Sequence, residues 1–121
     1  MSKEHLNKVG QVYHRPWGTY KTLEMGGKFQ AKIITVNPGG VLSLQKHFQR
    51  SEHWVVVEGV ATITVDDTVK DCKVGEYAFI PIESVHRLEN KTSQDASIIE
   101  VQVGDYLGED DIVRLEDVYD R

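Results

Sequence analysis

Four side chains of metal-ligand type stand at spacings that a β-sheet can bring together: Gln45, His47, Glu52 and His86. Alternate residues of a strand share a face, so Gln45 and His47 point one way while Leu44 and Lys46 point the other. Glu52 follows five residues after His47, and His86 thirty-four after Glu52. Two imidazoles, a carboxylate and an amide oxygen suit a divalent ion of borderline softness, Zn first and Ni, Co, Fe or Mn next, with coordination positions left open for a substrate. The competing reading is four unrelated polar residues, because a lone His on a strand is more often hydrogen-bonded than metal-bound.

Strands are the elements that must position these groups. "FQAKIITV" (29–36), "VLSLQK" (41–46), "HWVVVEG" (53–59), "ATITV" (61–65), "YAFI" (77–80) and "SIIEVQV" (97–103) are short, rich in β-branched or aromatic residues, and bounded by turn residues. Turn signals every ten residues or so predict an all-β jelly-roll barrel or double-sheet antiparallel sandwich. The 121 residues form a single expected domain, with an N-terminal arm over 1–14, a barrel over 15–103 and a tail over 104–121. The tail is expected to be irregular or a short helix: Ile112, Leu115 and Tyr119 fall at i, i+3 and i+7, compatible with a helix whose acidic side faces water.

Composition excludes several functions. One cysteine, Cys72, allows no intramolecular disulfide and fits a reducing cytoplasm. A net charge of −5 argues against nucleic acid as a partner, and there is neither an apolar leader nor a run long enough to span a membrane. Exposed sheet edges invite pairing, so a homodimer is expected.

The chain reads Gly39-x5-Gln45-x-His47-x4-Glu52-x6-Gly59 and then Gly75-x5-Pro81-x-Glu83-x2-His86-x3-Asn90. These runs resemble the two motifs of the cupin superfamily, G-x5-H-x-H-x3,4-E-x6-G and G-x5-P-x-G-x2-H-x3-N. Gln45 replaces the first His and Glu83 a Gly, where a side chain should avoid strongly positive φ. Over "RPWGTY" (15–20), "LSLQKHFQRSEHWVVVEGVA" (42–61), "YAFIPIESVHRLEN" (77–90) and "IEVQVGDYLGEDDIVRLEDVYDR" (99–121) the chain is similar to type II mannose-6-phosphate isomerases. In that family the pattern is commonly the C-terminal part of a bifunctional enzyme that begins with a mannose-1-phosphate guanylyltransferase. Gln49 stands where relatives often have His.

The resemblance implies interconversion of mannose 6-phosphate and fructose 6-phosphate through an enediol, with catalytic parts for Arg50 and His53. Strand parity sets His53 opposite Glu52 unless a bulge intervenes. For the phosphate, Arg50 is the first candidate because it shares parity with Glu52; Lys32 is the second. Arg50 is expected to act on the anion and not in holding the barrel together. Glu100 and Gln102 share a face of the last strand, where they either line the pocket, Glu100 then being a further acid or base, or face water. Arg87 is expected outside, Arg15 on the N-terminal arm, and Trp17 and Trp54 in packing. The rival function is a non-catalytic cupin module that binds a sugar phosphate or sugar nucleotide beside a separate guanylyltransferase.

Overall fold

The computed structural model describes residues 7–119. Eleven strands form two antiparallel sheets among these residues: β1 (Val12–Arg15), β2 (Gly18–Met25), β3 (Phe29–Val36), β4 (Leu44–Lys46), β5 (Arg50–Glu58), β6 (Ala61–Val65), β7 (Thr68–Cys72), β8 (Tyr77–Ile80), β9 (His86–Glu89), β10 (Ala96–Gly104) and β11 (Val113–Glu116). One sheet runs β1-β2-β3-β10-β5-β8 and the other β11-β4-β9-β6-β7. The fold is an all-β double-sheet barrel, and its edges lie on short β1, β7, β8 and β11.

Period-two patterning decides which residues meet inside. Along β3 the buried positions are Gln30, Lys32, Ile34 and Val36; along β5 they are Arg50, Glu52, Trp54 and Val56. Registry with β10 lines these up across the sheet as Ile34, Ile98 and Val56, then Lys32, Glu100 and Trp54, then Gln30, Gln102 and Glu52. The first row joins Trp17, Val36, Ile63, Leu88 and other buried apolar residues in the core between the sheets. The next two carry the polar groups, so one interior grades from apolar to charged. Gly59 closes the turn after β5 at φ 67, where a Cβ would run into the Asp95 carbonyl.

Four expectations need correction. Among its described residues the tail forms no helix: Val113–Glu116 pair as β11 with the edge of β4, whose free backbone groups a helix would leave unpaired. Arg87 ties this tail down by donating to the Leu42 carbonyl at 3.0 Å and to the Glu116 carboxylate at 2.8 Å. The N-terminal arm joins the sheet at Val12, where β1 forms a hairpin with β2; residues 1–6 of the arm lie outside the described residues. The run 41–46 is strand only at its end, Val41 making an isolated bridge to Glu89. Glu83 adopts φ 68 despite its side chain. Its amide donates to the His47 carbonyl at 2.7 Å, so the turn that costs strain also braces the strand end carrying His47.

Candidate metal centre and anion pocket

The sheets bring the four suspected ligands to one cavity of about 90 Å³. Gln45 and His86 are direct cross-strand partners on β4 and β9, His47 follows the end of β4, and Glu52 faces them from β5. The donor atoms offered by His47, Glu52 and His86 all lie within 4.8 Å of one another, and all three residues are buried.

The hydrogen bonds around the imidazoles fit a metal. His86 Nδ1 lies 3.0 Å from the Ser84 carbonyl, and His47 Nδ1 lies 2.5 Å from that of Asp111. A carbonyl only accepts, so each Nδ1 carries a proton and Nε2 is the nitrogen each ring has left to offer a metal. Gln45 spends its amide nitrogen on Ser43 Oγ at 3.0 Å, which leaves its carbonyl oxygen as the ligand atom it can offer. The cationic Arg50 guanidinium presently contacts two of the donors: its Nε donates to Glu52 Oε2 at 2.9 Å and its Nη2 is 3.2 Å from His47 Nε2. A donor set that already gathers a buried cation is chemically suited to a divalent one.

Electrostatics separate the two carboxyl groups. Trp54 donates its indole N–H to both, at 2.9 Å to Glu52 and 3.0 Å to Glu100. Burial would raise Glu52, but the Arg50 guanidinium and a hydrogen bond from Glu100 hold it well below the ordinary carboxylate range. Glu100, buried and beside ionised Glu52, is pushed up to about 8. Burial, reinforced by nearby Arg50, lowers His47 to about 4, so its imidazole is neutral.

Lys32 lies in the same cavity, its ammonium 4.0 Å from Glu100 and 4.5 Å from the centre of the Tyr20 ring. Gln102 stands one layer behind. It accepts from Gln30 and donates to Glu100 Oε2, both at 2.9 Å, so it orients a cavity carboxyl without lining the cavity itself. His53 is not brought to the site. Its register against Val101 and Phe79 shows no bulge, so it points outward and packs on Phe79, with ring centres 4.8 Å apart. Arg50 is only 5% exposed and paired with Glu52, so it is also packed into the fold. Gly104 opposite it is obligatory, since a Cβ there would strike the Gln49 carbonyl and Arg50 itself.

The tail contains two groups that sequence reasoning assigned to solvent. Asp111 is buried and accepts the amides of Phe48 at 3.1 Å and Gln49 at 3.0 Å, in addition to holding His47 through its carbonyl. Glu109 lies across the cavity, 3.0 Å from Lys32 Nζ and 3.5 Å from Arg50 Nη1. Two buried cations in one pocket called for such an anion, and that was the available signal.

Comparison with known proteins decides the family. Residues 2–117 match the model of the mannose-6-phosphate isomerase C-terminal family. The chain belongs to that family. It is 57% identical over 111 residues to alginate biosynthesis protein AlgA of Pseudomonas aeruginosa, covering 92% of this chain and 23% of the relative. It is 44% identical over 117 residues to mannose-1-phosphate guanylyltransferase of Escherichia coli, covering 97% of this chain and 24% of the relative. The chain thus spans about a quarter of the length of these relatives. Among solved structures it is similar to a cupin-2 domain from Rhodospirillum rubrum, with a TM-score of 0.68, 18% identity, and 84% of this chain and 76% of that one covered. The fold is a cupin.

Proposed function

We propose that the chain is a metal-dependent isomerase interconverting mannose 6-phosphate and fructose 6-phosphate in a pathway to GDP-mannose and polysaccharide. The observation that carries this reading is the convergence of a two-imidazole, one-carboxylate donor set with two buried cations, Lys32 and Arg50, in one cavity. Gln45, His47, Glu52 and His86 would hold the ion, zinc first among the candidates. When bound, the ion supplies Lewis acidity toward the two sugar oxygens that exchange carbonyl character. Moving a hydrogen between C1 and C2 through an enediol also needs a group that takes and returns a proton. Glu100 is a cavity carboxyl outside the ligand set, aimed by Trp54 and Gln102, whereas Glu109 is engaged by the two cations, and we assign Glu100 that role. His53 is dropped from the reaction because it faces outward. Lys32 and Arg50 take the phosphate, and burial of both strengthens their hold on an anion by keeping water from it.

Among the described residues no helix is long and apolar enough to cross a membrane. A cytoplasmic homodimer is part of the same proposal: Val55, Val57, Tyr77 and Phe79 leave an apolar outer face on the six-stranded sheet that a second copy could cover. The deciding assay follows conversion of mannose 6-phosphate to fructose 6-phosphate by metal-depleted and zinc-reconstituted protein. Activity that returns with metal is expected. Tight binding of the sugar phosphate without conversion would instead assign the chain as a binding module serving a separate guanylyltransferase.

A further inference from the structure

We propose that Glu109 is an internal occupant of the anion site: its carboxylate bridges Lys32 and Arg50 in the unliganded protein and is displaced by the phosphate of the substrate. The inference rests on the functional reading above for the identity of the incoming anion, but its geometry stands by itself.

Each Glu109 oxygen serves a different cation, Oε1 facing Lys32 Nζ at 3.0 Å and Oε2 facing Arg50 Nη1 at 3.5 Å. That is how a phosphate monoester would bridge them. Yet the bridge is incomplete. Arg50 Nη1 is buried and has no hydrogen bond of acceptable geometry, although Arg50 as a whole is only 5% exposed. An orphaned guanidinium N–H aimed at a carboxylate that does not fully satisfy it leaves a tetrahedral anion something to gain.

Exposure points to Glu109 as the partner that moves. The side chains of Lys32 and Arg50 are each 5% exposed, whereas that of Glu109 is 35% exposed and comes from a loop. The loop is fastened on both sides, by buried Leu107 and by Asp111, whose carboxylate accepts two backbone amides. Only Gly108, Glu109 and Asp110 lie between these anchors. Swinging this segment outward breaks the bond of the Asp111 amide to the Gly108 carbonyl and that of the Tyr106 hydroxyl to the Asp110 carboxylate, but leaves the Asp111 carboxylate on Phe48 and Gln49 and its carbonyl on His47. Some such movement is required, because a cavity of about 90 Å³ is well below the roughly 300 Å³ at which small-molecule pockets begin.

A competitor built into the site lowers apparent affinity by the fraction of molecules in which it has let go. Glu109→Gln keeps the size and removes the charge. Titration calorimetry of inorganic phosphate into metal-depleted protein should therefore show binding about tenfold or more tighter in Glu109→Gln than in wild type. Adding Lys32→Gln to that variant should abolish the gain. Exchange of the Asp111 amide, which bonds the Gly108 carbonyl at 3.2 Å, should speed up when wild type is saturated with phosphate, while the Phe48 and Gln49 amides held by the Asp111 carboxylate stay protected. Glu109→Asp provides a second variant should the Gln variant fail to fold: its shorter carboxylate cannot span both cations, so phosphate binding tightens there too. Equal or weaker binding in both variants, a gain that survives Lys32→Gln, or unchanged exchange of the Asp111 amide would overturn the proposal. Isomerase assays keep the two readings apart. Conversion of mannose 6-phosphate with no gain in phosphate affinity defeats the latch alone, and a gain with no conversion defeats the isomerase alone.

Discussion

Two rows of the same sheet, separated by the row of Lys32, Glu100 and Trp54, show what differs between the ends of this barrel. Ile34, Ile98 and Val56 lie side by side on β3, β10 and β5, and so do Gln30, Gln102 and Glu52 four residues along each strand. Both rows are buried and paired across the same three strands, a register shift between Ser97 and Ile98 flanking the apolar one; the main difference is in the side chains. The apolar row releases stability on burial. The polar row needs a partner for every donor and acceptor, and finds one in a chain running from Thr22 to Gln30, Gln102 and Glu100, each donating to the next. A barrel meant only to be stable would fill both ends with aliphatic side chains. On the proposed function, the polar end bears the chemistry and the apolar end supports it.

Substitutions can test this division, the largest effect being expected at the apolar end. Ile98→Ala removes a fully buried side chain and should cost about 2–5 kcal/mol in denaturant unfolding, with activity per folded molecule nearly intact. Arg50→Ala should reverse that balance, lowering kcat/KM by about a hundredfold or more while costing less stability than the apolar change. Arg50→Lys should recover part of the activity, since an ammonium keeps the charge but not the fork. If Ile98→Ala impaired catalysis as much as Arg50→Ala, the two ends would not be separable.

Acidity sharpens the contrast further. In metal-depleted protein His47 titrates at about 4 against an ordinary 6.5, so its contribution to stability is lost as pH falls through that interval. Glu100 titrates at about 8 against an ordinary 4.5, so its contribution is present at low pH and lost as pH rises toward 8. The two oppose each other between 4.5 and 6.5, giving a plateau there, with a decline of Tm from pH 6.5 to 8 that Glu100→Gln removes. The smallest effect belongs to the outer face: His53→Ala, which removes a side chain packed on Phe79 and turned from the cavity, should change kcat/KM by less than about twofold. A large loss would return His53 to the reaction.

Much of this arrangement was legible in the sequence because period-two parity is a local property. It put Gln45 with His47, Arg50 with Glu52, and His53 on the opposite face from Glu52. Parity could not tell whether Glu100 and Gln102 faced cavity or water; pairing of β10 between β3 and β5 decides that, and no local signal records it. The tail was misread for a similar reason. Ile112, Leu115 and Tyr119 have helical spacing, but β11 takes its conformation from the open edge of β4. An acidic run looks solvated until the buried cations that require it are placed, which is why Glu109 and Asp111 escaped notice.

The most direct test of the account is a zinc titration of metal-depleted wild type and of His86→Ala, with bound metal and mannose 6-phosphate isomerisation measured in the same samples. The account predicts one ion per chain in wild type, isomerisation rising in proportion to occupancy, and neither in His86→Ala. Zinc bound as tightly by His86→Ala as by wild type would contradict it, since the ion would then lie away from the ligand set on which the reading depends.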